Sequence, residues 1–519
     1  MRFLFPEIIL TILFSLVLCQ SSWLGQFSFE YSFLLSGFLF LIVSISSLIR
    51  LRNLTMDAKR KKYWLFSYFF LLVFPLLIVL TYAIKHGLCS FVSGLQWFVL
   101  LPGITTFYAI ACSIWAISYG KNGFKTWLIA WFPTLIFSAI TLLDLYYDPS
   151  IFFYHPVFGY FPGPIYDEWI PKFSSLYTYR IWVVIFSFWL IIRDSTEEKK
   201  WKVGVLILFP LFCRQELGWH YSHTWIQRQL ANHIETKNAV IYFSEVQSIE
   251  AVAFAKQIDR KISKIEQFLR VPIADDKIKI YVYPDSISKK KWTGTQYTLV
   301  GNPMQRSLHV LSLNINDPIL SHELTHVLAS PLGISIFHIS PKIGLLEGLA
   351  TAVQKNSLGI SVDEWSKIMQ TKKQLPDIAR TLDGYSFWKE NPTRVYLACG
   401  SFVNWLIHEY GMDKFKKVYR GEDFDSAYAI PLGSLIASWE KYIQPIPVTD
   451  DKVKRAESYL LEKPFYQKHC VHEVAEQLME YSLCTSEGCE PYLFKACKLD
   501  LENIKLQKKC EAVQTQKSN

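Results

Sequence analysis

The first 215 or so residues of this 519-residue chain are short of charge, being mostly Leu, Ile, Phe, Trp and Tyr. Only 19% of the whole chain is charged, against 51% hydrophobic and 16% aromatic residues, which is high for a water-soluble protein. The remainder lacks that apolar excess and has ordinary globular composition, so a membrane part precedes a soluble part. No small-residue cleavage site follows the first apolar run, which excludes a conventional secretory signal and leaves an anchor. No acidic excess balances the net charge of +9, yet much of the basic charge sits in short loops between apolar runs, so nucleic acid is not an expected partner. No transporter-like repeat appears in the apolar part.

Apolar runs at about Phe3 to Cys19, Phe33 to Ile49, Tyr63 to Ile84, Leu95 to Ile117 and Trp127 to Tyr146 approach or reach the length of a spanning helix. Ile181 to Ile192 reaches it only if residues before Arg180 extend it, and Val203 to Cys213 only if the run continues toward Trp219. Six or seven helices are expected. Arg2, Arg50, Arg52, Lys59, Arg60, Lys61, Lys62, Lys121, Lys125, Arg193, Lys199, Lys200 and Lys202 fall in one set of loops, and only Lys85, Lys172 and Arg180 in the alternate set. The first set is therefore expected in the cytoplasm and the loop Asp148 to Lys172 outside. If the seventh run crosses, the soluble part is extracytoplasmic; if it is re-entrant, the soluble part is cytoplasmic. Glu7, Arg180 and Arg214 lie within or beside the apolar runs and are expected to anchor helix ends.

The expected organisation is an α-helical transmembrane bundle over 1–218, an α+β domain over 219–447 and a small all-helical tail over 448–519. His220 and His223 fall in the connector and are expected to be interfacial or solvated. In the soluble part, Ala239 to Phe243 and the strictly alternating KIKIYVY at Lys277 to Tyr283 read as strands. A helix from about Val246 to Leu269, with Ile249, Val252, Ala253, Ala255, Ile258, Ile262 and Ile265 near helical spacing, lies between them. SLHVLSLN at Ser307 to Asn314 reads as a further strand, and Asp317-Pro318 opens a helix.

That helix carries His322-Glu323-Leu324-Thr325-His326. Residues four apart share a helix face, so the two imidazoles can grip one metal ion with Glu323 beside it. Catalytic zinc takes three protein ligands and keeps an open position. Glu347, in the helical stretch GLLEGLATAV, is the favoured third ligand; Asp383, in TLDG, is the alternative, the way site-2 intramembrane proteases supply an aspartate. The charged flanks of Asp383 and the absence of an apolar span around His322 disfavour it.

HELTH followed twenty residues later by EGLA resembles the gluzincin metallopeptidases, the thermolysin- and aminopeptidase-like group. The resemblance covers about residues 239 to 445 and implies a zincin-like fold, a Zn2+ ion on His322, His326 and Glu347, Glu323 as general base, and a peptide or protein substrate. It further implies that Tyr396, in VYLACGSFVNW, hydrogen-bonds the oxyanion, although the spacing to Gly400 is one residue longer than in the aminopeptidases. PLGSLIASWEKYI is similar to the closing helix of such domains. SLHVLSLN resembles the edge strand that binds extended peptide, and in GNPMQRS the residue Gln305 stands where aminopeptidases carry a glutamate for the substrate's amine. An endopeptidase is therefore expected; the alternative is a non-catalytic zinc-containing receptor or scaffold that binds peptide segments.

Five of the ten cysteines lie in the tail. A helical hairpin turning near Gly488 would pair Cys470 with Cys510 and Cys484 with Cys497, leaving Cys489, as suits an oxidising compartment. Cys19, Cys89, Cys112 and Cys213 are expected to pack within the membrane part, and Cys399 under the site.

Overall fold

A computed structural model describes residues 4–52, 66–118, 123–163, 167–192, 199–271, 276–382, 384–461, 463–484, 488–501 and 503–518. The loop with Lys59 to Lys62, Arg193 and Asp383 lie outside the described residues. The chain forms two compact units, one of residues 1–145, 150–221 and 465–519, the other of residues 146–149 and 222–464.

The first unit contains α1 (Phe5–Leu18), α2 (Phe29–Arg52), α3 (Val73–His86, preceded by 3-10 turns from Ser67), α4 (Phe91–Phe98), α5 (Ile104–Ser118), α6 (Gly123–Tyr147), α7 (Ser174–Ile192) and α8 (Lys199–Leu208). A short hairpin, β1 (Phe153–His155) with β2 (Gly159–Phe161), precedes α7. Among the described residues, five segments are long and apolar enough to cross a membrane: Phe29–Arg50, Ser67–His86, Phe91–Ile117, Lys125–Tyr147 and Ser174–Ile192. The last is continuous through Arg180, which does not anchor a helix end. Between α4 and α5 lies the wider π-turn Val99–Gly103, which contains Pro102, a residue with no backbone N–H to donate. The fully buried Arg180 braces this turn, donating to Leu100 O (2.6 Å), Leu101 O (3.2 Å), Pro156 O (2.9 Å) and the Thr105 hydroxyl (3.1 Å). Glu7 instead pairs with Arg50 at 2.5 Å, joining the start of α1 to the end of α2.

The seventh apolar run turns back along α7. Gly204 lies against the Trp189 ring, Trp182 Nε1 donates to Ile207 O (2.8 Å), and Trp219 Nε1 donates to the Thr178 hydroxyl (3.1 Å). From Trp189 to Ser175, beside Gly218, is about 21 Å of helix at 1.5 Å per residue. Tyr221 then meets Ser150 through both its backbone groups, at 3.1 and 3.2 Å. The chain thus returns to the end of the bundle where α7 begins.

The second unit begins with α9 (His223–Leu230) and holds a five-stranded sheet in the order β3-β4-β5-β7-β6. Strands β4 (Ala239–Phe243), β5 (Ile278–Val282) and β7 (Ser307–Val310) are parallel; β3 (Asn232–Glu235) and β6 (Val300–Asn302) run antiparallel at the two edges. Helix α10 (Ser248–Leu269) crosses from β4 to β5, and α11 (Ser286–Thr293) follows β5. The buried stripe of α10 is Ala251, Phe254, Ile258, Ile262, Ile265 and Leu269, whereas Ile249 and Val252 are exposed: the larger Phe254 sets the inward face. Then come α12 (Pro318–Leu328), α13 (Ile343–Gln354), α14 (Val362–Thr371), α15 (Pro392–Tyr410) and α16 (Leu432–Ile443). The strand expected at Ser307 to Asn314 stops at Val310 and is interior, paired with β5 on one side and β6 on the other; it is not the sheet edge.

The helix Asp450–Leu460 belongs to this unit, so the boundary expected at 447 lies at 464. Ala456 and Leu460 enter the core, and Asn391 and Arg394 donate to the carbonyls that end this helix. The tail proper has three helices, α17 (Val471–Leu483), α18 (Glu490–Leu499) and α19 (Ile504–Ser518), not one hairpin. Its disulfides are correspondingly Cys484–Cys489 across the first turn and Cys497–Cys510 across the second, while Cys470 pairs with Cys89 after α3. The nested pairing expected for a hairpin, and the packing role expected for Cys89, are both corrected.

Candidate metal centre

Helix α12 starts where the local chemistry requires: Pro318 occupies the first turn and the Asp317 carboxylate accepts from Ile319 N–H at 2.9 Å. Leu320, Leu324, Val327 and Leu328 are buried in the core, each worth roughly 1.5–3 kcal/mol. That burial turns the other face, with His322 and His326, away from the core, their ring centroids 4.9 Å apart.

Helix α13 brings Glu347 to them because its glycine allows a close approach to α15. A Cβ on Gly348 would lie 2.8 Å from the Cys399 carbonyl, and one on Gly400 would lie 2.5 Å from Thr351 Cγ2. The result is a convergence of three ligand atoms: Glu347 Oε2 is 3.2 Å from His322 Nε2 and 3.4 Å from His326 Nε2. Four-coordinate zinc with bonds of about 2.0–2.1 Å has ligand-to-ligand edges of about 3.3–3.4 Å, so the donor set fits a tetrahedral ion. Burial opposes ionisation of Glu347, but His326 and hydrogen bonds from both rings overcome it and hold the carboxyl far below its usual range. Burial likewise works against charging His326, yet Glu347 and Glu323 push it up to about 9.

Glu323 faces the same centre. Desolvation raises its pKa, and its carboxylate accepts the Gly301 N–H at 2.7 Å. Gly301 lies in β6, where a Cβ would sit 2.2 Å from the Glu323 carbonyl oxygen, so β6 and α12 touch only because this residue has no side chain. Nothing in GNPMQRS signals the contribution of Gly301, because it depends on a backbone contact with a helix some twenty residues later, whereas Gln305 is conspicuous by its side chain. That glutamine donates to Asp148 O (2.6 Å) and Tyr146 O (3.3 Å). Its amide is spent on backbone of residues 146–149.

Tyr396, on α15, lies with its ring centroid 6.1 Å from that of His322 and 5.2 Å from that of Phe387. Cys399 is buried one turn further along, its Sγ 3.7 Å from the Thr381 hydroxyl, and desolvation raises its thiol pKa to about 12. The connector histidines are not solvated: His220 is buried, and His223 Nδ1 lies 2.7 Å from the Tyr281 hydroxyl, with burial lowering its pKa to about 4. The chain matches no protein-family model, no curated protein and no solved structure. Residue chemistry and geometry therefore carry the functional reading.

Proposed function

We propose that His322, His326 and Glu347 hold a Zn2+ ion and that the second unit is a gluzincin-type, zincin-like metallopeptidase domain. The observation that carries this reading is the pair of Nε2-to-carboxylate distances, 3.2 and 3.4 Å, beside an independently held Glu323. When bound, zinc supplies a Lewis acid and lowers the pKa of a coordinated water toward about 7. Glu323, oriented by the Gly301 N–H, takes the proton of the attacking water and returns it to the leaving nitrogen. Tyr396 lies beside His322 and donates a hydrogen bond to the developing oxyanion. An extended peptide adds to the free side of β6, the antiparallel edge next to α12. With Gln305 engaged elsewhere, no carboxylate at that position holds a free substrate amine, which favours endopeptidase activity.

The domain is extracytoplasmic in this reading. The chain leaves the bundle at Tyr221 and re-enters it at Phe465, beside Trp23 (ring centroids 5.4 Å apart), near the Cys89–Cys470 disulfide. Lys172 donates to Ser93 at the start of α4, and Lys468 pairs with Glu168 at 2.6 Å, so the sparsely basic loops share that end. Disulfides suit an oxidising compartment, and the basic loops would then face the cytoplasm.

Purified full-length protein should cleave a peptide library, lose activity to a zinc chelator, and regain it with Zn2+. Glu323→Gln should retain metal and lose about 10²–10⁴-fold in rate. Turnover that survives this substitution would sink the mechanism; metal binding with no turnover in the wild type would favour the peptide-binding scaffold.

A further inference from the structure

The bundle contains a cavity of about 370 Å³ that the peptidase reading leaves unused. Its walls come from α6, the β1 hairpin region, α7 and the segment Leu208 to His220, all within the first unit. Most of the lining is apolar or aromatic, including Phe137, Ile140, Leu208 and Leu211. One end is ionic. Arg214 grips both oxygens of Asp144, the second at 3.2 Å, and the buried His220 brings Nδ1 to 3.8 Å from the same carboxylate.

Two features of this cavity select among ligands. From Phe137 to Asp144 is seven residues of α6, about 10 Å, so an apolar body and a charged end are separated along one axis. Asp144 engages each terminal nitrogen of Arg214 once, and a guanidinium has five N–H donors, so donors remain over for an anion. Asp144 balances the charge of Arg214 but takes up only two of its five N–H donors, and polar groups left over beside an apolar cavity in a membrane bundle are costly unless they serve a ligand. The volume lies within the range of small-molecule sites.

We propose that this cavity holds one acyl chain of a membrane phospholipid, with the lipid phosphate against the Arg214 guanidinium and the His220 ring. Arginine matches phosphate oxygens through a planar, charge-assisted fork. Phospholipid is also the amphiphile that would surround α6 and α7 in a bilayer, both being long and apolar enough to span one. The site would tie the returning segment after α8 to α6, and it is independent of the metal centre.

The test uses full-length protein in mild detergent and a phosphatidylglycerol carrying a photoreactive diazirine in one chain. Crosslinks mapped by mass spectrometry should fall on Ile140, Leu208 and Leu211; crosslinks confined to the outward Leu142 and Leu143, which are 67% and 56% exposed, would overturn the proposal. Ile140→Trp or Leu211→Trp should cut labelling about five-fold while Leu142→Trp leaves it unchanged, a ratio corresponding to less than the 1.4 kcal/mol of a tenfold change. Equal labelling in all three would contradict a filled cavity. A diazirine diacylglycerol, which lacks the phosphate, should label the wild type several-fold less, and equal labelling would refute the role of Arg214. Displacement by an apolar peptide but not by unlabelled phosphatidylglycerol would assign the cavity to a peptide and overturn the lipid.

Discussion

Each unit of this protein contains a buried imidazole–carboxylate cluster, and the two are built for different ends. In the second unit, His322 and His326 aim their Nε2 atoms at one oxygen of Glu347, and His322 Nδ1 has no partner among the described residues. In the first unit, His472 is used at both nitrogens: Nδ1 meets Glu168 O at 2.5 Å and Nε2 meets the Glu30 carboxylate. Two acceptors call for two N–H donors, which the imidazolium form supplies; burial disfavours that charge, but Glu30 outweighs it and raises the pKa. Identical residue types thus give a convergent, undersatisfied cluster in one place and a saturated clamp in the other. Metal binding is expected only where ligand atoms converge with capacity to spare.

Substitutions can sharpen this contrast. The largest effect short of the proposed ligands and base themselves is expected from Gly301→Ala. Its Cβ would collide with the backbone of Glu323, shifting the base, so turnover should fall about 10–100-fold with zinc content unchanged. A rate equal to the wild type would show that β6 does not set the base. Next comes Cys89→Ser. The bond it removes closes a separation of 381 residues, and its loss should destabilise the tail's docking by about 2–4 kcal/mol. A nick introduced between Ile446 and Pro464 should leave the fragments joined on a non-reducing gel in the wild type and separate in the variant; separation in both would disprove the bridge.

The smallest effect concerns the clamp and appears as a pH dependence. Because the folded pKa of His472 lies above its ordinary 6.5, its contribution is complete below that value and is lost as pH rises through the folded pKa. Melting of the wild type should therefore fall over that interval more than melting of His472→Gln, which keeps one donor for Glu30. Parallel pH profiles would remove the imidazolium from the account.

What was legible in the sequence depended on local information. The spacing within HELTH, the Asp317-Pro318 start and the EGLA helix involve neighbours along one helix, and the structure brings their functional groups together. The spanning segments were visible for the same reason, since length and apolarity are properties of a continuous run. Partners distant in the chain were not. Nothing near Cys470 signals Cys89, and a symmetric hairpin accounts for the spacing of the tail cysteines as well as the three helices do. Arg180 could be noticed but not explained, because its acceptors arise from a π-turn some eighty residues earlier. The longer apolar pattern at Ser307 reads as the edge strand, whereas three residues around Gly301 form the edge; so short a strand has almost no periodicity to read.

Zinc content of the full-length protein, measured by elemental mass spectrometry after exhaustive dialysis, tests the comparison most directly. The account predicts about one zinc per chain in the wild type and in His472→Gln, and none in Glu347→Ala. Zinc that persists in Glu347→Ala, or that disappears in His472→Gln, would contradict it.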